Sequence, residues 1–301
     1  MKSLQRILFF GNYFYGICAV ALSIEAGLQQ QLGLNDPYYY ALLFLGTVVY
    51  YTKAYLQAES DHAIHHPRAD WYHKNAQKIR ARQIVFVCLS AILLVKLILA
   101  PAHEISRLQI KDIFLTLIFP FVAIAYYGIE NYGKQIIQLR RIGWLKPFII
   151  GFCWAGAVSI YPAVYHHLTH PQHQSFTFFP ILLFIKNFMF ITVLCIMFDI
   201  KDYATDANQQ LKTFVVTYGL RRTIFYIIIP LTILGLSAFL TYALTHHFSV
   251  GRIGLNFIPF LLILTVAFSL QKRRSIFFYL IIIDGLMLVK GLCGSLGMLF
   301  F

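Results

Sequence analysis

Charge is what this chain has least of, and negative charge least of all: 12 Asp and Glu stand among 301 residues, against 25 Lys and Arg. Only 12% of the residues are charged, about half the share of a soluble domain, which excludes an ordinary water-facing fold. Cysteine is sparse as well. Cys18, Cys88, Cys153, Cys195 and Cys293 all fall inside apolar runs, and their spacing gives neither a disulfide framework nor a zinc pattern. Low-complexity tracts, internal repeats and a polar linker are all absent.

What is present is apolar. Hydrophobic residues make up 59% of the chain, with a mean hydropathy of +0.67. A helix must span about 30 Å of hydrocarbon with its own backbone hydrogen bonds satisfied, which takes about 20 apolar residues. Nine such runs fill the chain, at 8–32, 38–58, 83–101, 110–129, 145–168, 176–200, 223–245, 253–271 and 276–298. The expected fold is an all-α integral membrane bundle of nine transmembrane helices, organised as a single domain over residues 1–301. The first run is too long for a cleaved signal peptide and lacks a small-residue cleavage site, so it counts as a span. Of the 25 Lys and Arg, 18 fall in the loops on one side of such a bundle. That asymmetry predicts a cytoplasmic N-terminus. It also accounts for the formal charge of +13 by topology and contact with lipid head groups, without nucleic acid. No transit peptide is evident, which favours a bacterial inner membrane.

The scarce acids are not scattered. Behind the sixth run, "FDIKDYATDANQQLKTFVVTYGLRRT" places Asp199, Asp202 and Asp206 at i, i+3 and i+7, on one face if the helix runs on past Phe198. Three like charges on one stripe call for a cation, and a donor set of carboxylates alone points to Mg²⁺ shared with a phosphate. Lys212, Arg221 and Arg222 follow, of the kind that grips a diphosphate. The same spacing also suits a solvated acidic turn that ends the helix.

This stretch resembles the second aspartate-rich motif of the UbiA-type intramembrane prenyltransferases, roughly D-x-x-D-x-x-x-D followed by K-T-x-x-V-x-x-G. Asp199, Asp202 and Asp206 match its acids, and Lys212, Thr213, Val216 and Gly219 its tail. "LRRIGWLKPFIIGFCWAGA" (139–157) is similar to the family's basic loop into its fifth helix. The resemblance implies nine spans around a central cavity open to the cytoplasm, and transfer of a prenyl group from an isoprenyl diphosphate to a lipophilic acceptor with Mg²⁺. It implies that Asp199, Asp202 and Asp206 are the catalytic and metal-holding residues. Tyr126 or Tyr127, with Lys134, Arg140 and Arg141, would flank the substrate mouth; Lys212, Arg140, Arg141 and Arg68 would contact phosphate, and Tyr55 would also bind substrate. The family's first motif aligns with "YTKAYLQAESDHAIHHPRADW", where Tyr51, Tyr55 and Glu59 replace its Asn and spaced acids, leaving Glu59, helped by Asp61, as the metal ligand on that side.

Other polar groups lie at membrane depth, where they are costly. Lys53, one turn before the degenerate motif, would supply positive charge to a substrate, with Asp284 a candidate counter-ion. Lys96 and Lys290 read as side chains snorkelling to the outer interface, and Glu25, Lys186, Asn12 and Asn187 as further polar companions. His166 and His170 stand at i, i+4, but no acid or cysteine joins them as a metal site. Two alternatives remain open: a non-catalytic UbiA-like protein that binds an isoprenoid or lipid phosphate, and a membrane transporter using Lys53 and Asp284.

Overall fold

The computed structural model describes residues 2–58, 67–99, 110–127, 130–131, 134–135, 139, 142–170, 179–272 and 274–301. Among these the chain is helical almost throughout; β1 (Glu130–Asn131) and β2 (Lys134–Gln135) form one short antiparallel pair. The helices are α1 (Lys2–Phe10), α2 (Tyr13–Gln29), α3 (Pro37–Ala58), α4 (Pro67–Leu99), α5 (Ile110–Tyr127), α6 (Lys146–Ala155), α7 (Tyr161–Thr169), α8 (Phe179–Asn208), α9 (Phe214–Tyr218), α10 (Leu220–Thr223), α11 (Ile229–Thr245), α12 (Val250–Ser269), α13 (Ile276–Phe278) and α14 (Gly285–Phe300). Wide π turns at 156–160, 224–228 and 279–283 join α6 to α7, α10 to α11 and α13 to α14. The first two end just ahead of Pro162 and Pro230, whose rings cannot continue the normal hydrogen-bond ladder, so the wide turn takes up the mismatch.

Among the described residues, six of the resulting rods are long and apolar enough to cross a membrane, and a seventh is if α1 and α2 count as one bent span. The protein is thus an integral membrane helical protein. Two of the nine apolar runs give weaker spans. α3 carries six tyrosines, which dilute its apolarity, and the apolar part of α5 is short. The chain packs as two compact units: Met1–Val20 with Asn35–Arg107, and Ala21–Leu34 with Leu108–Phe301.

In the first unit, the run at 8–32 is broken where the sequence predicts one continuous helix. α1 stops at Phe10, Asn12 takes a left-handed φ of 65°, and α2 leaves at 61°. A broken helix strands backbone carbonyls that lipid cannot satisfy. Here Arg68 Nη2 donates to Phe9 O and Phe10 O, each at 3.3 Å, and Tyr72 Oη donates to Phe10 O at 2.9 Å. Asn12 Nδ2 donates to Tyr72 Oη and Thr52 Oγ1, fixing the bend from α3 and α4 together. Most of α4 is apolar and exposed; Ile84, Val85, Ile92, Val95 and Leu99 clothe it as lipid-facing side chains do.

In the second unit α8 is central: α6 and α11 both pack along it, and α12 pairs with α14. One core cluster gathers Leu183 of α8 with Phe239, Tyr242 and Ala243 of α11 and Phe248. Beside it lies a charged cluster in which every member is buried. Glu25 Oε1 accepts from Lys186 Nζ at 2.7 Å and Glu25 Oε2 from Lys290 Nζ at 2.5 Å. Gln29 links Lys186 to Asn256 of α12. Lys290 therefore does not snorkel to an interface as the sequence predicts; it is 2% exposed, because Glu25 offers it a partner at depth. Lys96 does stay exposed, its ammonium 3.1 Å from the centre of the Tyr38 ring.

Glu25 is one acid serving two ammonium groups, so the effects of substitution are unequal. Glu25→Gln strands two buried cations and is expected to destabilise the protein by about 3–5 kcal/mol. Lys290→Met removes the surplus charge and fills similar volume, and is expected to stay within about 1.5 kcal/mol of the parent. Thermal unfolding in detergent distinguishes the two.

Candidate functional site

α8 changes character along its length: apolar through Phe198, then "DIKDYATDAN" to its end. The helix does run on to Asn208, so the three aspartates are helical and share a stripe, as their spacing predicts. Their environments differ. Asp199 and Asp206 are buried, at 1% and 5% exposure, whereas the Asp202 side chain is 38% exposed and its Oδ1 accepts from neighbouring Lys201 at 2.5 Å.

Two loops close on this end of α8. Pro147 opens α6 at a position where its missing N–H is harmless, and the residue before it, Lys146, reaches Asp199 Oδ1 with Nζ at 2.9 Å. Gly143 sits against the backbone of Lys212 and Thr213, so closely that a Cβ there would lie 2.7 Å from the Lys212 carbonyl carbon and from Thr213 N. Thr213 accepts from Val216 N and so caps α9. The site therefore assembles from the polar end of α8, the 142–146 loop and the 212–213 segment, with Lys146 on Asp199 and Lys201 on Asp202, while Lys212 contributes its backbone against Gly143 and keeps its side chain exposed.

Two carboxylate oxygens here, Asp199 Oδ2 and Asp206 Oδ2, are buried without a hydrogen-bond partner among the described residues. An unpaired buried carboxylate oxygen is expensive and calls for a donor or a cation. Among the described residues no three His, Cys, Asp or Glu side chains converge as a metal cage. A hard cation that keeps one or two carboxylates and takes its other oxygens from phosphate does fit. Asp202 and Asp206, one turn apart, offer such a pair; Asp199 stands two turns from Asp206 and is already engaged by Lys146.

Below the charged end runs a row of rings in the same unit. Phe214 meets Phe148 at 6.0 Å between centroids, Phe148 meets Phe188 at 6.1 Å, and Phe188 stacks on Phe184 at 6.0 Å. Phe184 meets Phe152 at 5.7 Å, and Phe152 meets Phe119 at 4.9 Å.

The other residues singled out by the sequence fall elsewhere. Arg68, 3% exposed, donates to Tyr55 Oη at 2.8 Å and lies over the Tyr55 ring at 3.8 Å, so both help satisfy the break after α1. Lys53 is exposed on α3 and Asp284 buried. Tyr127 ends α5, but its side chain lies outside the described ones, as do Glu59, Asp61, Arg140 and Arg141. His166 and His170 stack ring on ring at 4.2 Å. Lys146 was missed: a lysine directly before the proline that opens a span reads as one more loop charge.

Compared with known protein families and with curated proteins, the sequence matches none. Among solved structures it is similar to that of digeranylgeranylglyceryl phosphate synthase in membranes, over 100% of both chains, with 14% identity and a TM-score of 0.60. The likeness is one of fold: a membrane-embedded helical architecture shared end to end with that synthase.

Gly143→Val would push the 142–146 loop off the 212–213 backbone. It is expected to cost about 1–3 kcal/mol of stability and to free Lys146 from Asp199, read as a lower melting temperature together with faster acylation of Lys146 by an amine-reactive reagent.

Proposed function

We propose that the protein transfers a prenyl group from an isoprenyl diphosphate to a lipophilic acceptor in the membrane, with Mg²⁺, and that both the N-terminus and the aspartate end of α8 face the cytoplasm. The observation that carries this reading is the pair of carboxylate oxygens, Asp199 Oδ2 and Asp206 Oδ2, buried without a partner among the described residues, on the helix end where Lys146 and Lys201 meet Asp199 and Asp202. The shared fold supports it, since the similar structure is that of a synthase whose product bears geranylgeranyl groups and a phosphate.

The chemistry follows from the residues. An allylic diphosphate loses its C–O bond when charge on the leaving group is neutralised. Lys146 and Lys212 would bind phosphate oxygens, while Asp202 and Asp206 would hold the cation. Mg²⁺, when bound, withdraws charge from the departing diphosphate. The allylic cation needs surroundings free of water, and ring faces stabilise positive charge; the Phe214–Phe148–Phe188–Phe184 row would supply both and align the prenyl chain. The acceptor's nucleophilic carbon or oxygen then forms the new bond and gives up its proton.

A second reading is a binder of an isoprenoid or lipid phosphate that does not ionise its ligand. The degenerate first motif and the occupation of Asp199 by Lys146 favour it. The two readings part on diphosphate release, measured with purified protein, a panel of isoprenyl diphosphates and membrane lipid extract as acceptor. The transferase reading expects Mg²⁺-dependent release that falls at least about 100-fold in Asp202→Asn and Asp206→Asn. Saturable Mg²⁺-dependent binding without release would leave the binder. Absence of both would remove the phosphate site altogether.

A further inference from the structure

We propose that Lys146 is a built-in replacement for a metal ion: its ammonium, seated on Asp199, receives phosphate oxygens directly and leaves Asp202 and Asp206 to share a single divalent cation. This rests on the diphosphate reading above and goes beyond it in naming which cations hold the ligand.

Four observations carry it. The ammonium lies on Asp199 Oδ1 at 2.9 Å, where a cation would sit. The two partners are unequally covered: the Asp199 side chain is 1% exposed and that of Lys146 27%, so the carboxylate is closed off while part of the lysine remains open to an incoming group. Lys146 Nζ carries three donors, and among the described residues one is used, on Asp199; the proposal gives the other two to phosphate oxygens. Its place is fixed by backbone, through Pro147 at the start of α6 and Gly143 against the 212–213 segment.

Geometry and charge point the same way. Asp199 and Asp206 are two helical turns apart, about 10.5 Å along the axis, so one ion cannot bind both. Asp202 and Asp206 at i, i+4 can share one. Lys146 already pairs with Asp199, whereas Asp206 has no lysine partner among the described residues and keeps a buried oxygen for a cation. A tethered ammonium does part of a divalent ion's work, offering positive charge and hydrogen bonds to phosphate, but as a fixed part of the chain.

The test is equilibrium binding of an isoprenyl thiodiphosphate, whose sulfur bridge resists ionisation, to the full-length protein with Mg²⁺ or with chelator. The parent is expected to retain binding in chelator, weakened but saturable, and to take up one Mn²⁺ per chain when the probe is bound. Lys146→Gln should lose about 10- to 100-fold in chelator-resistant affinity, while its Mg²⁺-supported binding persists; Lys146→Arg should restore the chelator-resistant part. Parent binding that vanishes in chelator, or two Mn²⁺ per chain, would overturn the inference and leave the proposed function standing. Tighter Mg²⁺-dependent binding by Lys146→Gln would also overturn it, making the ammonium a plug that metal must displace. No binding of the probe under any condition would overturn the proposed function and the inference with it.

Discussion

An ion buried in a bilayer must find its counter-ion within the protein, and most of the polar architecture here answers to that requirement. Glu25 satisfies two ammonium groups at once, drawing α2, α8 and α14 to one point, with Gln29 extending the reach to Asn256 of α12. Leu, Ile and Phe contacts would tolerate sliding of one apolar helix along another. Ion pairs of 2.5 and 2.7 Å do not, so a cluster of this kind sets the register of the helices that surround it.

The same rule explains three polar regions with three uses. At the break between α1 and α2, a guanidinium is spread over carbonyls, a phenol and an amide, and the gain is a bend that apolar side chains could not hold open. In the Glu25 cluster both carboxylate oxygens are matched. At the end of α8 they are not: Asp199 and Asp206 each keep an oxygen without a partner among the described residues. Full satisfaction suits a structural role; a pair of oxygens left open beside half-buried lysines is what the proposed phosphate site rests on.

Much of this was legible in the sequence, and the limits have physical causes. The helical membrane class follows from long apolar runs, and the acidic stripe from i, i+3, i+7 spacing. The break at Gly11–Asn12 was hidden because the run stays apolar on both sides and the groups that satisfy it, Arg68 and Tyr72, come from another helix. Lys146 and Lys290 were misjudged for a related reason: each was weighed against water and lipid rather than against an acid far along the chain. Depth was the available signal. In an alternating bundle the end of the first span, the start of the sixth and the end of the ninth lie on one side, which places Glu25, Lys186 and Lys290 at one level. The start of the fifth and the end of the sixth likewise bring Lys146 to Asp199.

The Glu25 cluster also bears on how the protein is made. Glu25 leaves the ribosome 161 residues ahead of Lys186 and 265 residues ahead of Lys290. Until α14 enters the bilayer, Glu25 is served by one of these two lysines, and before α8 arrives by neither. The helices around Glu25 therefore acquire their register in stages and lock only once α14 has joined α2 and α8. A chain cut short before α14 would lack one of the two clasps on that carboxylate.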